Sequence, residues 1–182
     1  MKKLSMSELG RLNPAEFKAA IKLPVVILLD NIRSLHNVGS AFRTADAFRI
    51  EKIFLTGITG IPPHREIEKT ALGATNTVDW EYAEKPEDIV SRLKIEGYKI
   101  LAIEQTDTSK NLQSYHFTPD QKICLIFGNE IHGVSDAVIE LADEAIEIPQ
   151  AGTKHSLNIS VCVGIVTWEV IRQISSADTI NG

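Results

Sequence analysis

Three short segments hold the residues whose types and spacing could do chemistry, and each opens near the end of an apolar run. The first covers residues 29–48. A polar loop through Asp30, Arg33 and His36 leads to Asn37, Gly39 and Arg43 at helical spacing. A guanidinium can clamp a phosphate through paired N–H donors, or stabilise negative charge growing on an oxygen. Gly39 falls in the first helical turn, at a cost to helix stability, which makes sense if something must approach the backbone closely. A surface arginine behind an N-capping asparagine is the plainer explanation of the same residues.

The second segment, residues 126–135, carries Gly128, Asn129, Glu130, His132 and Gly133. Glycines permit positive φ and close backbone–ligand approach. Glu130 could hold a helix N-terminus or a neighbouring loop in place. The third segment, residues 146–164, is a short strand, a flexible loop with Ile148 and Gln150, and a nearly apolar helix. Ser156 and Asn158 bracket Leu157 at the start of that helix, where small polar side chains cap the helix or position a ligand. A tight strand–helix turn and simple capping would account for these two segments taken singly.

The elements that must position these residues alternate between β-rich and amphipathic stretches. Strands are predicted at 25–29, 52–56, 77–82, 99–104, 122–127 and 145–148, and helices at 37–48, 66–72, 87–95, 136–142 and 157–174. Val38, Ala41, Phe42, Ala45 and Phe48 share one helical face, with Arg43 off it. Pro86 precedes Glu87 and Asp88, a start that suits the helix dipole, and Ser135 is a plausible N-cap. The alternation implies an α/β fold on a mostly parallel sheet. Ligands in such sheets bind beyond the carboxyl ends of the strands, where all three segments lie. Residues 1–22 read as a short helical arm, residues 23–176 as a single domain, and the end from about Ser175 as frayed.

Several chemistries are disfavoured. There is no phosphate-cradling G-x-x-x-x-G-K-[ST], no G-x-G-x-x-G after the first strand, no H-E-x-x-H and no G-x-S-x-G. His36, His132 and His155 lie in the loops without metal-ligand spacing, so no metal is expected. Cys124 and Cys162 sit in apolar runs and read as buried free thiols. No apolar run is long enough to span a bilayer and no signal-peptide pattern opens the chain, so a cytoplasmic location is expected. The net charge is −5, but it is uneven: residues 1–72 hold 11 Lys+Arg against 7 Asp+Glu. The first part of the chain could therefore face phosphates while the rest stays acidic.

Taken together, in order and with their spacing, the three segments resemble the three motifs of the SpoU/TrmH-type ribose methyltransferases of the SPOUT superfamily. The resemblance runs from about Leu28 to Trp168. It implies a Rossmann-like parallel sheet whose C-terminal part is threaded into a deep trefoil knot. It also implies S-adenosylmethionine as cofactor, transfer of its methyl group to an RNA ribose 2′-hydroxyl, and a homodimer. By motif position, the resemblance gives Arg43 the main catalytic role, supported by Asn37, Glu130, Ser156 and Asn158. Gly128, Ile148 and Leu157 would contact the cofactor, with Asn129 and Gln150 as second choices.

Arg33, Arg43, Arg49, Arg65 and Lys69 are candidate phosphate contacts. Arginines do not deprotonate in proteins, so phosphate binding and charge stabilisation suit Arg43 better than the general-base role often given to the family's arginine. tRNA is expected slightly ahead of rRNA. With only about 22 residues before the first strand, substrate choice is expected to rest on the catalytic dimer, the arm or a partner. Arg49 stands where relatives commonly have glycine, which would alter the turn after the helix. The main alternative is a catalytically silent RNA-binding or assembly factor of the same fold; a base or protein methyltransferase and a nucleotide-binding regulator also stay open.

Overall fold

The computed structural model describes residues 1–5, 7–119, 121–153 and 156–174. His155, the end from Ser175 and the last two residues of the expected 23–176 domain lie outside the described residues. In chain order the main elements are α1 (Pro14–Ala19), β1 (Leu23–Asp30), α2 (Leu35–Ala47), β2 (Ile50–Thr56), α3 (Arg65–Ala71), β3 (Asp79–Ala83), α4 (Pro86–Ile95), β4 (Lys99–Ile103), β5 (Lys110–Asn111), β6 (Ile123–Phe127), α5 (Asp136–Leu141), β7 (Glu144–Glu147) and α6 (Ile159–Ile174). The strands form one parallel sheet in the order β3-β2-β1-β6-β4-β7-β5.

Strands buried on both faces must be apolar without a break. In β1, Val25, Ile27 and Leu29 pack one way and Val26 and Leu28 the other. β6 repeats this with Ile123, Leu125 and Phe127 against Cys124 and Ile126. The first face is covered by α2, α3 and α6, together with Phe17 of α1. α4 and α5 cover the second. α4 starts at Pro86, one residue before the expected Glu87, with Glu87 and Asp88 in its first turn.

Several boundaries differ from the sequence expectation, each for a local reason. α2 starts at Leu35 rather than Asn37, because the Ser34 hydroxyl takes the Asn37 N–H as N-cap. α6 starts at Ile159, because Asn158 Oδ1 accepts the Ser160 N–H at 2.9 Å and caps it. Ser135 stands at the N-cap of α5 but makes no capping bond through its side chain. β5 went unseen: two polar residues carry no alternation to read.

Gly39 answers to helix packing rather than to a ligand. A Cβ there would lie 2.2 Å from the Ile67 carbonyl oxygen and 2.2 Å from Thr70 Oγ1, both on α3. Arg49 takes a left-handed φ of 50°, the conformation glycine adopts most cheaply.

Candidate active site

The site is assembled by a polar network beneath the loops. Asp30 ends β1 fully buried, and its Oδ2 accepts the Ser135 N–H at 2.8 Å. Asn31 has φ 56°. Its Oδ1 accepts the Ile58 N–H at 3.1 Å, and its carbonyl accepts Asn129 Nδ2 at 2.6 Å. Thr59 Oγ1 donates to the Leu29 carbonyl and accepts the Ile32 N–H. These bonds tie the loops after β1, β2 and β6 to one another. Asp30, Asn31 and Thr59 were not singled out as site residues; their signal was their place at strand ends.

Glu130 draws the loop after β6 onto the start of α2. Its carboxylate accepts the Arg33 N–H at 3.0 Å, the Ser34 N–H at 3.1 Å and Asn37 Nδ2 at 3.0 Å. Burial would raise the Glu130 carboxyl, but donation from Arg33, its own backbone, Asn37 and Ser34 outweighs this and holds it below the ordinary 4.5. Asn158 Nδ2 donates to Asn37 Oδ1 at 3.3 Å, which extends the chain of bonds to α6. Three residues far apart in sequence are thus linked as Asn158–Asn37–Glu130.

Beside this chain lies a cavity of about 480 Å³ at the carboxyl ends of β4, β6 and β7. Every expected cofactor residue lines it: Gly128, Asn129, Ile148, Gln150 and Leu157. Glu130, Ser156 and Asn158 line it too. Asn129 is already committed, since its Oδ1 also accepts the Ile131 and His132 N–H groups. Glu104, Glu147 and Cys162 also line the cavity, and the sequence motifs do not mark them. Glu104 closed an expected strand, the position where ligand residues gather. Cys162 is only half-buried, unlike the fully buried Cys124.

Arg43 stands apart from this cavity. It is exposed and opens onto a second hollow of about 530 Å³ with Ser40, Thr44, Phe48, Lys69, Thr70 and Gly164. Lys69 pairs with Glu66, which also meets His36 at 2.9 Å. Arg33, in the loop after β1, and Arg65, at the start of α3, are exposed, and neither lines this hollow. Arg49 is not brought to the site: it precedes β2, at the opposite end of the strands, where its carbonyl accepts the Leu23 N–H. Among the described residues no group of His, Cys, Asp and Glu could hold a metal, and no helix is long and apolar enough to cross a membrane.

A cavity with carboxylates and apolar walls suits a charged organic cofactor, and a cationic flank beside it suits a polyanion. The class defined is an α/β protein with a parallel sheet and a cavity at the carboxyl ends of its strands. The model of the SpoU rRNA Methylase family matches residues 24–168, and the chain belongs to that family. It is 31% identical over 155 residues to the tRNA (guanosine(18)-2'-O)-methyltransferase of Aquifex aeolicus, covering 82% of this chain and 69% of that enzyme. It is 31% identical over 150 residues to the 23S rRNA (guanosine-2'-O-)-methyltransferase RlmB of Neisseria meningitidis, covering 82% of this chain and 59% of the relative. The AdoMet-bound rRNA methyltransferase from Sinorhizobium meliloti superposes with a TM-score of 0.77 at 28% identity, over 84% of this chain and 57% of that one. The chain therefore spans less than two thirds of the latter two proteins.

The cavity fits S-adenosylmethionine. Ile131, Ile148 and Leu157 offer apolar surface, Gln150 and Ser156 polar groups, and Glu104, Glu130 and Glu147 negative charge.

Proposed function

We propose that this chain is an S-adenosylmethionine-dependent methyltransferase acting on an RNA ribose 2′-hydroxyl, with tRNA ahead of rRNA as substrate. The observation that carries the reading is the Asn158–Asn37–Glu130 chain, which joins the cofactor cavity to the helix bearing Arg43. When bound, the cofactor would supply an electrophilic methyl on a positively charged sulfur; transfer to the ribose 2′-oxygen would leave a neutral thioether, with the hydroxyl proton passing to water. Gly128, Ile148 and Leu157 hold the cofactor, with Asn129 and Gln150 beside them. Arg43 binds a phosphate next to the reacting ribose and stabilises negative charge on the 2′-oxygen. Glu130 and Asn37 keep the first turn of α2 in place, and Ser156 and Asn158 order the lip of the cavity. Arg33, Arg65 and Lys69 add phosphate contacts. RNA is required because DNA lacks the 2′-hydroxyl.

The acting form is a homodimer with a C-terminal trefoil knot. Supporting the knot, β7 enters the sheet between β4 and β5, two strands that precede it in sequence. Supporting the dimer, Val161, Ile165 and Trp168 form an apolar stripe on α6 that stays exposed, Trp168 by 50%. Phe48, which packs on Trp168, and Gly164 also line the Arg43 hollow. A second copy on the stripe would therefore flank Arg43. Residues 23–176 act as one catalytic unit, with the arm docked through Phe17.

The test is transfer of labelled methyl from S-adenosylmethionine to tRNA and to rRNA, followed by digestion to nucleosides. A ribose methyl formed by the wild type and lost in Arg43→Ala supports the reading. Cofactor binding without transfer to either RNA would favour a silent RNA-binding member; a base methyl would overturn the ribose assignment.

A further inference from the structure

Glu104 follows β4 and lines the cofactor cavity, half-buried. Its Oε2 accepts the Val134 N–H at 3.0 Å and its Oε1 the Gln105 N–H at 2.9 Å. Each carboxylate oxygen can accept a second bond. Gly133 makes the approach possible: its φ is +70°, and a Cβ there would lie 2.1 Å from Glu104 Oε2.

The two amides occupy one lone pair on each oxygen and carry no formal charge, so they leave the carboxylate's negative charge without a cation. No ion pair among the described residues neutralises Glu104, nor Glu130 or Glu147 on the same walls. Among the described residues no lysine or arginine lines the cavity. Burial pushes the Cys162 thiol up, its own backbone amide opposes this, and Glu104 adds a smaller upward push. A cavity of about 480 Å³ is on the order of 10 Å across, close to the distance over which physiological salt screens charge. Any change of charge on a bound ligand therefore registers in its affinity.

We propose that Glu104 is a discriminating residue of the cofactor site, favouring the positively charged sulfonium cofactor over its neutral-sulfur product, S-adenosylhomocysteine. The proposal rests on the cofactor reading above. Methyl transfer removes the positive charge on the sulfur that Glu104 attracts, so Glu104 would favour the cofactor and add no such attraction to the product.

The experiment is calorimetric titration of the full chain with S-adenosylmethionine and, separately, with S-adenosylhomocysteine, for wild type, Glu104→Gln and Glu104→Asp. Wild type should bind the sulfonium ligand more tightly. Glu104→Gln should reduce that preference by about tenfold, mainly through weaker sulfonium binding, while Glu104→Asp retains most of it. Equal weakening of both ligands in Glu104→Gln would make Glu104 a mere tether for Val134 and overturn the proposal. So would a wild type that holds the product as tightly as the cofactor, a result that needs no variant to fold. Binding of neither ligand by the wild type would instead overturn the cofactor reading itself, and this proposal with it.

Discussion

Glu130 Oε1 lies 3.0 Å from Asn37 Nδ2, a bond between residues 93 positions apart that joins the loop after β6 to the first turn of α2. The same carboxylate also holds the Arg33 and Ser34 amides. Glu130→Ala should release these exposed donors to water and cost about 0.5–1.5 kcal/mol. In a double-mutant cycle on thermal stability, Glu130→Ala and Asn37→Ala should be non-additive by about 0.5 kcal/mol or more. Strict additivity would mean that the bond does not connect the segments in solution.

Arg43 opens onto the second hollow and not onto the cofactor cavity. Arg43→Ala should therefore reduce kcat by roughly a hundredfold or more, while S-adenosylmethionine affinity measured without RNA stays within about twofold. A parallel loss of cofactor binding would contradict this separation. Arg43→Lys then distinguishes the roles: a point charge retains partial activity if electrostatics suffices, and little if the planar fork must hold two partners.

Gly39 is pressed against α3, so Gly39→Ala should destabilise the fold despite the better helix propensity of alanine. Its Cβ would meet the Ile67 carbonyl oxygen at 2.2 Å. Overpacking of this kind costs about 1–3 kcal/mol, readable as a lowered denaturant midpoint. A neutral or stabilising result would show that α2 and α3 separate easily.

Acid should weaken the β7 edge. Glu144 is held down to about 2: burial alone would raise it, but Lys110, Tyr115 and Lys99 outweigh burial. A carboxyl depressed on folding adds stability that is present above its ordinary 4.5 and is lost as pH falls toward about 2. The Tm of wild type should therefore fall over that window, and Glu144→Gln should flatten this part of the profile while lowering Tm at neutral pH. Superimposable acid limbs would remove Glu144 from the account.

The α6 stripe gives a test of assembly. Trp168→Glu should shift the chain toward monomer in light scattering, because it places a charge in the apolar surface formed with Val161 and Ile165. Activity should fall with the dimer. A wild type that is monomeric at all concentrations would exclude this interface.

Much of this molecule could be read from local pattern. Unbroken apolar runs at β1 and β6 announced strands buried on both faces, and the period of Val38, Ala41, Phe42 and Ala45 announced the inner face of α2. The three polar segments declared themselves at strand ends, and every residue expected at the cofactor lines one cavity. What was not legible depends on partners distant in sequence. Gly39 suggested a ligand because nothing local could reveal α3 lying against it. β5 is only two residues long, its pairing with β7 imposed by the sheet rather than by its own propensity.

Residue types and spacing by themselves determined the α/β class, the strand-end position of the three polar segments and the family resemblance, because burial and turn formation act on neighbours along the chain. Tertiary structure alone decided that Glu130 grips α2, that Asn158 reaches Asn37, that Arg43 faces its own hollow and that Glu104 lines the cavity at the strand ends. Those relationships come from strand order, which sets residues some 30 to 120 positions apart side by side through contacts that no local pattern records.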